Sequence, residues 1–143
     1  MIYTLDTNVI VDALRVPVEL ERLKAFLGWA LPTTVLSSVV AAELLAGART
    51  EKTHRALDES FLEPFQRRGR IFAPSSAVWR RMGALVARID LANLSASRQN
   101  DVLLAAQARE SGWTLITRDR DFDTLRTRHV GGLKIVAPFP VHP

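Results

Sequence analysis

The chain contains no cysteine, which excludes disulfide bonds and metal sites built on thiolates. The absence of cysteine also suits a reducing cytoplasm, where we expect the protein to act. No apolar run is long enough to cross a bilayer, so we expect no membrane anchor. Asp6 interrupts the first apolar run and no basic stretch precedes it, so we expect no signal peptide. The histidines, His54, His129 and His142, lack the spacing of metal ligands.

What the chain does contain is the composition of an ordinary folded domain. Its 143 residues are 48% hydrophobic and 24% charged, and we predict one domain spanning residues 1–143. The tryptophans, Trp29, Trp79 and Trp113, are predicted to pack in its core. The formal net charge of +4 is compatible with a polyanionic partner without requiring one.

Short apolar strands alternate with helical patterns along the whole chain. The predicted strands are Ile2–Leu5, Thr34–Ser37, Arg70–Ala73, Thr114–Thr117 and Lys134–Val136. The predicted helices are one capped by Asn8, then Glu19–Ala30, Val39–Ala48, Lys52–Arg68 with a break at Pro64, Ser76–Ile89 and Arg98–Ser111. Residues 91–97 are predicted to form a polar loop. This alternation is typical of an α/β fold, a three-layer α/β/α sandwich around a mainly parallel sheet.

Two acidic residues stand out by their positions. Asp6 ends the first strand beside the start of a helix, at the edge of an open α/β sheet where ligands bind. Its alternative role is capping of that helix. Glu43 is the only charge in the apolar run Val39–Ala48, and a buried carboxylate is costly unless it is paired, protonated or bound to a cation. The alternative for Glu43 is a place at the helix rim, in contact with solvent or an arginine.

Further acids occur in the second half of the chain. Asp101 lies in the first turn of its predicted helix, where an acid also compensates the helix dipole. Asp119 follows the strand Thr114–Thr117 by two residues, which repeats the arrangement at the first strand. Asp121 and Asp123 come soon after it, and for Asp123 we expect a polar turn with an ion pair to a nearby arginine.

These acids are predicted to meet, because the ends of parallel strands and the starts of the following helices share one edge of a sheet. Without a neutralising partner they would repel one another and raise one another's pKa values. A cluster of oxygen donors with no histidine or cysteine calls for a hard divalent cation, Mg²⁺ or Mn²⁺. Such a site typically catalyses phosphoryl or phosphodiester chemistry.

Four segments of the chain, taken in order, provide a further signal. They are Leu5-Asp6-Thr7-Asn8-Val9-Ile10, Ser38-Val39-Val40-Ala41-Ala42-Glu43-Leu44-Leu45-Ala46-Gly47-Ala48, Asn100-Asp101-Val102-Leu103-Leu104-Ala105-Ala106 and Leu115-Ile116-Thr117-Arg118-Asp119-Arg120-Asp121-Phe122. In order and spacing they resemble the PIN domain family, and within it the VapC-type ribonuclease toxins of bacterial toxin–antitoxin pairs. The resemblance covers the whole chain; each segment alone is weakly diagnostic, and the set is specific.

The resemblance implies cleavage of RNA phosphodiester bonds at an Mg²⁺ or Mn²⁺ site. The positions that match the family's catalytic and metal-binding acids are Asp6, Glu43, Asp101 and Asp119. Asp121 is a further metal ligand or an alternative to Asp119, because the fourth acid varies in position among members. Thr7 and Thr117 match hydroxyl positions that orient the acids or a bound water. The resemblance also implies a small DNA-binding antitoxin as partner, and homodimers are usual in the family.

Arginines beside the acids offer contacts to the substrate. Arg118 and Arg120 flank Asp119, and arginine contacts to phosphate give affinity that depends on salt but not on sequence. The alternative is that both side chains are simply solvated at the surface.

Other functions stay open at this point. A PIN-domain protein can act chiefly with its antitoxin in regulating transcription, through a surface that could include the helix Glu19–Ala30. A phosphatase of the haloacid dehalogenase type also begins with a strand that ends in aspartate, but it expects a second aspartate where this chain has Asn8. A phospho-acceptor domain of the receiver type needs a lysine after a late strand, and Lys134 is poorly placed for that role.

Overall fold

The computed structural model describes residues 1–89 and 96–143. The strands are β1 (Tyr3–Leu5), β2 (Thr34–Ser37), β3 (Ile71–Phe72), β4 (Thr114–Ile116) and β5 (Lys134–Val136). The α-helices are α1 (Thr7–Arg15), α2 (Pro17–Ala30), α3 (Ser38–Gly47), α4 (Glu51–Leu57), α5 (Glu63–Arg67), α6 (Ser76–Arg88), α7 (Ala96–Ser111) and α8 (Asp121–Arg128). A 3₁₀ turn, Leu31–Thr33, follows α2, and a π-helical segment, Asp58–Leu62, joins α4 to α5.

Within the described residues, the strands form one parallel sheet in the order β3-β2-β1-β4-β5. The chain moves outward from β1 to β3 and then crosses to the other side of β1 for β4 and β5. Connections therefore leave β1 and β4 in opposite directions, which opens a crevice at the carboxyl ends of these two strands. The predicted α/β fold around a parallel sheet is confirmed. The crevice lies at the carboxyl ends of β1 and β4, where Leu5 and Ile116 pair in register.

Both faces of the sheet are covered. Every residue of β2 and β4 is buried, as expected for parallel strands with helices packed on each side. Leu5, Leu36 and Leu115 are fully buried at the centre of the core. This packing fixes the strand ends, and hence the residues that follow them, on a rigid base.

Helices α6 and α7 pack against each other. Ser75 caps α6 by accepting a hydrogen bond from the Val78 backbone N–H at 3.1 Å. In α7 the run from Val102 to Ala108 is buried without interruption. The pair holds α7 against the sheet, with its amino-terminal half directed towards the carboxyl edge of the strands.

The structure corrects several details of the helix predictions. Helix α1 begins at Thr7, so Asp6 and not Asn8 occupies the N-cap position. Helix α7 begins at Ala96, which places Asp101 in its second turn rather than its first. Dipole compensation in a first turn therefore does not explain Asp101. The rest of the predicted loop, residues 91–95, lies outside the described residues.

Three further differences concern burial and polarity. Helix α8 occupies residues for which the sequence predicted only a polar turn. Trp79 is 51% exposed rather than packed in the core, whereas Trp113 is buried as predicted. Helix α3, predicted to be buried all round, exposes Ala42 and Ala46, because small residues can face solvent at little cost.

The described helices include none with both the length and the apolar character that crossing a membrane requires.

Candidate metal centre

Asp6 lies at the centre of the carboxyl edge, where β1 ends and α1 begins. Its backbone N–H donates to the Ile116 carbonyl at 3.1 Å, which extends the β1–β4 pairing by one residue. The side chain is only 3% exposed, and its Oδ2 accepts a hydrogen bond from the Thr117 hydroxyl at 2.8 Å. No side-chain capping bond to the first turn of α1 is formed. The carboxylate therefore faces the crevice rather than serving as a helix cap.

Thr117 connects this carboxylate to the next acids along the chain. Its hydroxyl oxygen accepts a hydrogen bond from the Asp119 backbone N–H at 3.0 Å. Asp119 Oδ1 in turn accepts from the Asp121 backbone N–H at 2.9 Å, at the first residue of α8. The segment after β4 is thus a hydrogen-bonded turn that holds Asp119 beside Asp6.

Glu43 reaches the same place from α3. Its helix begins directly after β2, where the Ser37 side chain accepts a hydrogen bond from the Val39 N–H at 3.1 Å. The side chain is half-buried, and its Oε1 accepts a hydrogen bond from the Thr7 hydroxyl at 2.9 Å. A hydroxyl from the start of α1 therefore orients the carboxylate of α3, and among the described residues no arginine forms an ion pair with it.

A cavity of about 260 Å³ joins these groups. Its lining residues, all within the described ranges, are Asp6, Thr7, Asn8, Glu43, Arg98, Asp101, Asp119 and Asp121. The structure thus brings together all the acids that the sequence singled out as metal ligands. Thr117 is not a lining residue but contacts Asp6 from behind.

The electrostatics of the cavity reflect this crowding. Burial raises the pKa of Asp6 from 3.8 to about 6, against the hydrogen bonds from Thr117 and from the Thr7 backbone, and the nearby charges of Asp119 and Glu43 raise it further. The pKa of Asp101 rises to about 7, first through burial and then through repulsion by the neighbouring acids, while Arg98 lowers it. Without a cation, the folded protein therefore disfavours the fully ionised cluster.

Arg98 is a residue of this cavity that the sequence prediction missed. It precedes Asp101 by three residues on α7, a spacing that places two side chains on the same face of a helix. Its guanidinium forms an ion pair with Asp121. That spacing is a sequence signal for Arg98, but it does not distinguish Arg98 from Arg118 and Arg120, which also lie near acids in the sequence.

The arginines that the sequence favoured lie elsewhere. Arg118 forms an ion pair with Asp12 at 3.0 Å and a second one with Glu19, which directs it towards α1 and α2. Arg120 is exposed at the residue before α8. Neither lines the cavity. A contact between either side chain and an RNA phosphate stays a prediction.

Asp123 forms an ion pair with an arginine, as the sequence predicted. It pairs with Arg126 at 3.1 Å on the exposed side of α8 and does not line the cavity. The prediction of an ion pair for this acid is confirmed. Asp123 is therefore an acid near the cluster but outside it.

The donor set fits a hard divalent cation. Every acidic lining group offers carboxylate oxygens, and a doubly charged ion would offset the repulsion that raises the pKa values of Asp6 and Asp101. Among the described residues, however, no three acidic or histidine side chains already surround one point closely enough to hold an ion. Binding would therefore require rotations of carboxylates that share the cavity.

Comparison with known proteins agrees with this geometry. The PIN domain family model matches residues 3–127. The chain belongs to the PIN domain family. The resemblance that the sequence segments indicated is confirmed, and the other folds considered from the first strand lose their support. A comparison with curated proteins finds no match.

Solved structures similar to this PIN domain come from toxin–antitoxin systems. VapBC2 from Rickettsia felis, bound to a DNA fragment from its promoter, is 25% identical over 96% of this chain and 98% of its own, with a TM-score of 0.63. FitAcB from Neisseria gonorrhoeae is also 25% identical, over 98% of this chain and 100% of its own, with a TM-score of 0.70. A toxin–antitoxin complex from Klebsiella pneumoniae shares the fold at 21% identity, over 97% and 99% of the two chains, with a TM-score of 0.65.

Proposed function

We propose that this PIN domain is a metal-dependent endoribonuclease and the toxin of a toxin–antitoxin pair. The observation that supports it is the cavity in which carboxylates from β1, α3, α7 and the turn after β4 meet. PIN domain toxins are nucleases in general, and RNA as the substrate belongs to the proposal. Carboxylate clusters of this kind suit phosphodiester hydrolysis because they hold cations that neutralise charge on phosphoryl oxygens.

The residues divide into holding and orienting roles. Asp6, Asp101 and Asp119 would hold Mg²⁺ or Mn²⁺, with Asp121 as a further ligand or as an alternative to Asp119. A bound ion would supply electrostatic stabilisation of the phosphoryl oxygens and a lowered pKa for a bound water. Glu43 would complete the site by ligation or by accepting the proton of the attacking water.

Two threonines support these acids. The Thr117 hydroxyl fixes Oδ2 of Asp6 through its 2.8 Å hydrogen bond. The Thr7 hydroxyl does the same for Oε1 of Glu43 at 2.9 Å. Each hydroxyl therefore orients one oxygen of its carboxylate, and a carboxylate has further lone pairs with which it can accept a cation or a proton.

We also propose a small DNA-binding antitoxin as the partner and a homodimer as the assembly. The support is the similarity to VapBC2 and FitAcB, the first of which is described as bound to promoter DNA. The same similarity favours a second candidate function, in which the chain acts mainly within a DNA-bound regulatory complex. That function predicts promoter binding that survives loss of the carboxylate of Asp6.

The test is cleavage of single-stranded RNA by the purified protein in Mg²⁺ or Mn²⁺, with and without a chelator. We expect cleavage that stops on chelation, and a loss of at least about a hundredfold in Asp6→Asn and Asp101→Asn, since each removes a cation ligand. Asp123→Asn is the matched control, because it removes an acid that pairs with Arg126 outside the cavity. Full activity in a folded Asp6→Asn or Asp101→Asn protein would refute the assignment.

A further inference from the structure

Arg98 supplies positive charge to a cavity that is otherwise lined by acids and uncharged polar groups. Of the described residues that line the cavity, it is the only basic one. Its position on α7 places it near Asp101, on a helix whose following residues are buried from Val102 to Ala108. The guanidinium is thus carried by a rigid element, at the rim of the place where a phosphodiester would have to enter.

One partner of Arg98, Asp121, is held in a way that permits exchange. The ion pair between Arg98 and Asp121 joins side chains that are each 45% exposed. Ion pairs this open to solvent contribute little to stability, because water and salt compete with them. A guanidinium matches the oxygens of a phosphodiester as well as those of a carboxylate.

Entry of RNA into this cavity poses an electrostatic problem. A phosphodiester is an anion, and the carboxylates of the cavity repel it. Of the two arginines favoured by sequence, Arg118 is already bound by Asp12 and Glu19, and Arg120 does not line the cavity. A positive side chain at the rim, with an exchangeable partner, offsets the repulsion.

We propose that Arg98 binds a phosphate of the RNA strand at the rim of the cavity, exchanging Asp121 for a phosphate oxygen. This inference rests on the proposed function and names the residue that positions its substrate. Exchange would also release the carboxylate of Asp121 towards the cation site. Arg98 therefore strengthens the binding of RNA and weakens the binding of the cation. Its removal should weaken RNA binding and strengthen cation binding.

The experiment compares Arg98→Gln with Arg126→Gln, its matched control. Arg126 forms a similar exposed pair with Asp123 but does not line the cavity. Binding of a single-stranded RNA oligonucleotide is measured by fluorescence anisotropy in an Asp6→Asn background, which prevents cleavage. Binding of Mn²⁺ is measured by calorimetry at about pH 8 in the chain with Asp6 intact.

For Arg98→Gln we expect RNA binding about tenfold weaker, since a charge-assisted contact to phosphate is lost. The slope of log affinity against log salt should fall by roughly 0.7, the value for one phosphate contact on a single strand. Mn²⁺ binding should become roughly three- to tenfold tighter, because a positive charge leaves the cavity. Arg126→Gln should change none of these.

Two results would overturn the role of Arg98. One is RNA binding by Arg98→Gln equal to that of its parent. The other is a parallel loss of RNA binding, Mn²⁺ binding and melting temperature, which indicates a packing role. Failure of the proposed function is distinct, since a parent chain that binds neither Mn²⁺ nor RNA shows it before any arginine is changed.

Discussion

At the scale of single residues, the site depends on carboxylates whose ionised form is disfavoured by burial and by neighbouring acids. Asp6 is almost fully buried, and Asp101 lies beside three other acids that raise its pKa. Within the described residues, the side-chain groups that hydrogen-bond to the Asp6 and Glu43 carboxylates are the neutral hydroxyls of Thr117 and Thr7. The physical consequence is a fold that gives up some stability at neutral pH and recovers it when a cation binds.

The raised pKa values predict how stability depends on pH without metal. Asp6 and Asp101 have folded-state pKa values of about 6 and about 7, above their ordinary 3.8, so the folded protein binds protons more tightly than the unfolded chain. Their contribution to the free energy of unfolding is fully present below about pH 4 and is lost as the pH rises through about 6 to 7. We expect Asp101→Asn, which keeps a neutral side chain, to weaken this pH dependence.

The measurement is urea denaturation in a chelator at about pH 5 and about pH 8, for the native chain, Asp101→Asn and Asp123→Asn. Asp123→Asn should keep the dependence of the native chain, because its acid lies outside the cavity. If the free energy of unfolding changes between the two pH values by the same amount in the native and Asp101→Asn proteins, the electrostatic explanation is wrong.

At the scale of elements, a buried amide fixes the spacing between the helices that carry Glu43 and Asp101. Gln107 on α7 is 2% exposed, and its Oε1 accepts from the Ser37 hydroxyl at 2.5 Å. Its Nε2 donates to the Phe72 carbonyl at 2.9 Å. Because Ser37 also caps α3, one side chain joins the ends of β2 and β3 and the start of α3 to α7.

We expect Gln107→Leu to lower the free energy of unfolding by about 1–3 kcal/mol, since it leaves the Ser37 hydroxyl and the Phe72 carbonyl buried without this partner. Chemical denaturation measures the change, with Gln66→Leu on the exposed surface of α5 as the control. A loss in Gln107→Leu no larger than in the control would show that these hydrogen bonds contribute no net stability.

Sequence predicted the elements with apolar centres well and the short polar ones poorly. Helix α7 was evident from the apolar run Val102–Ala106 at its centre, and the strands β2 and β4 from the adjacent aliphatic pairs Val35-Leu36 and Leu115-Ile116. Helix α8 was missed because Asp121–Arg128 has little apolar periodicity, and its first turn is held instead by the contact between Asp119 Oδ1 and the Asp121 N–H.

In the candidate site, too, some residues could be predicted from the sequence and others could not. The acids could be identified from where strands end and from a charge inside an apolar run. Arg98 could not be separated from Arg118 and Arg120 in this way, because all are exposed basic residues near acids. What separates Arg98 from Arg118 is the acid that each one contacts: Arg98 pairs with Asp121 at the cavity, whereas Arg118 pairs with Asp12 and Glu19 away from it. That choice depends on how the helices pack, which only the structure reports.

At the scale of the whole molecule, the order of the strands determines where chemistry can occur. Because β1 lies between β2 and β4, residues far apart in the chain follow strands that are neighbours in the sheet. The crevice between the ends of β1 and β4 then receives Asp6 and Asp119, while α3 and α7 deliver Glu43 and Asp101. The central claim is that these carboxylates form one cation site, which the proposed nuclease and the role of Arg98 both require.

The measurement that tests this claim most directly is anomalous X-ray scattering from crystals soaked in Mn²⁺. We expect an anomalous peak within coordination distance of Asp6 and of at least one of Glu43, Asp101 and Asp119, and no such peak in crystals of Asp6→Asn. A native crystal with no manganese in the cavity at saturating Mn²⁺, or with the ion only at other surface acids, would contradict it.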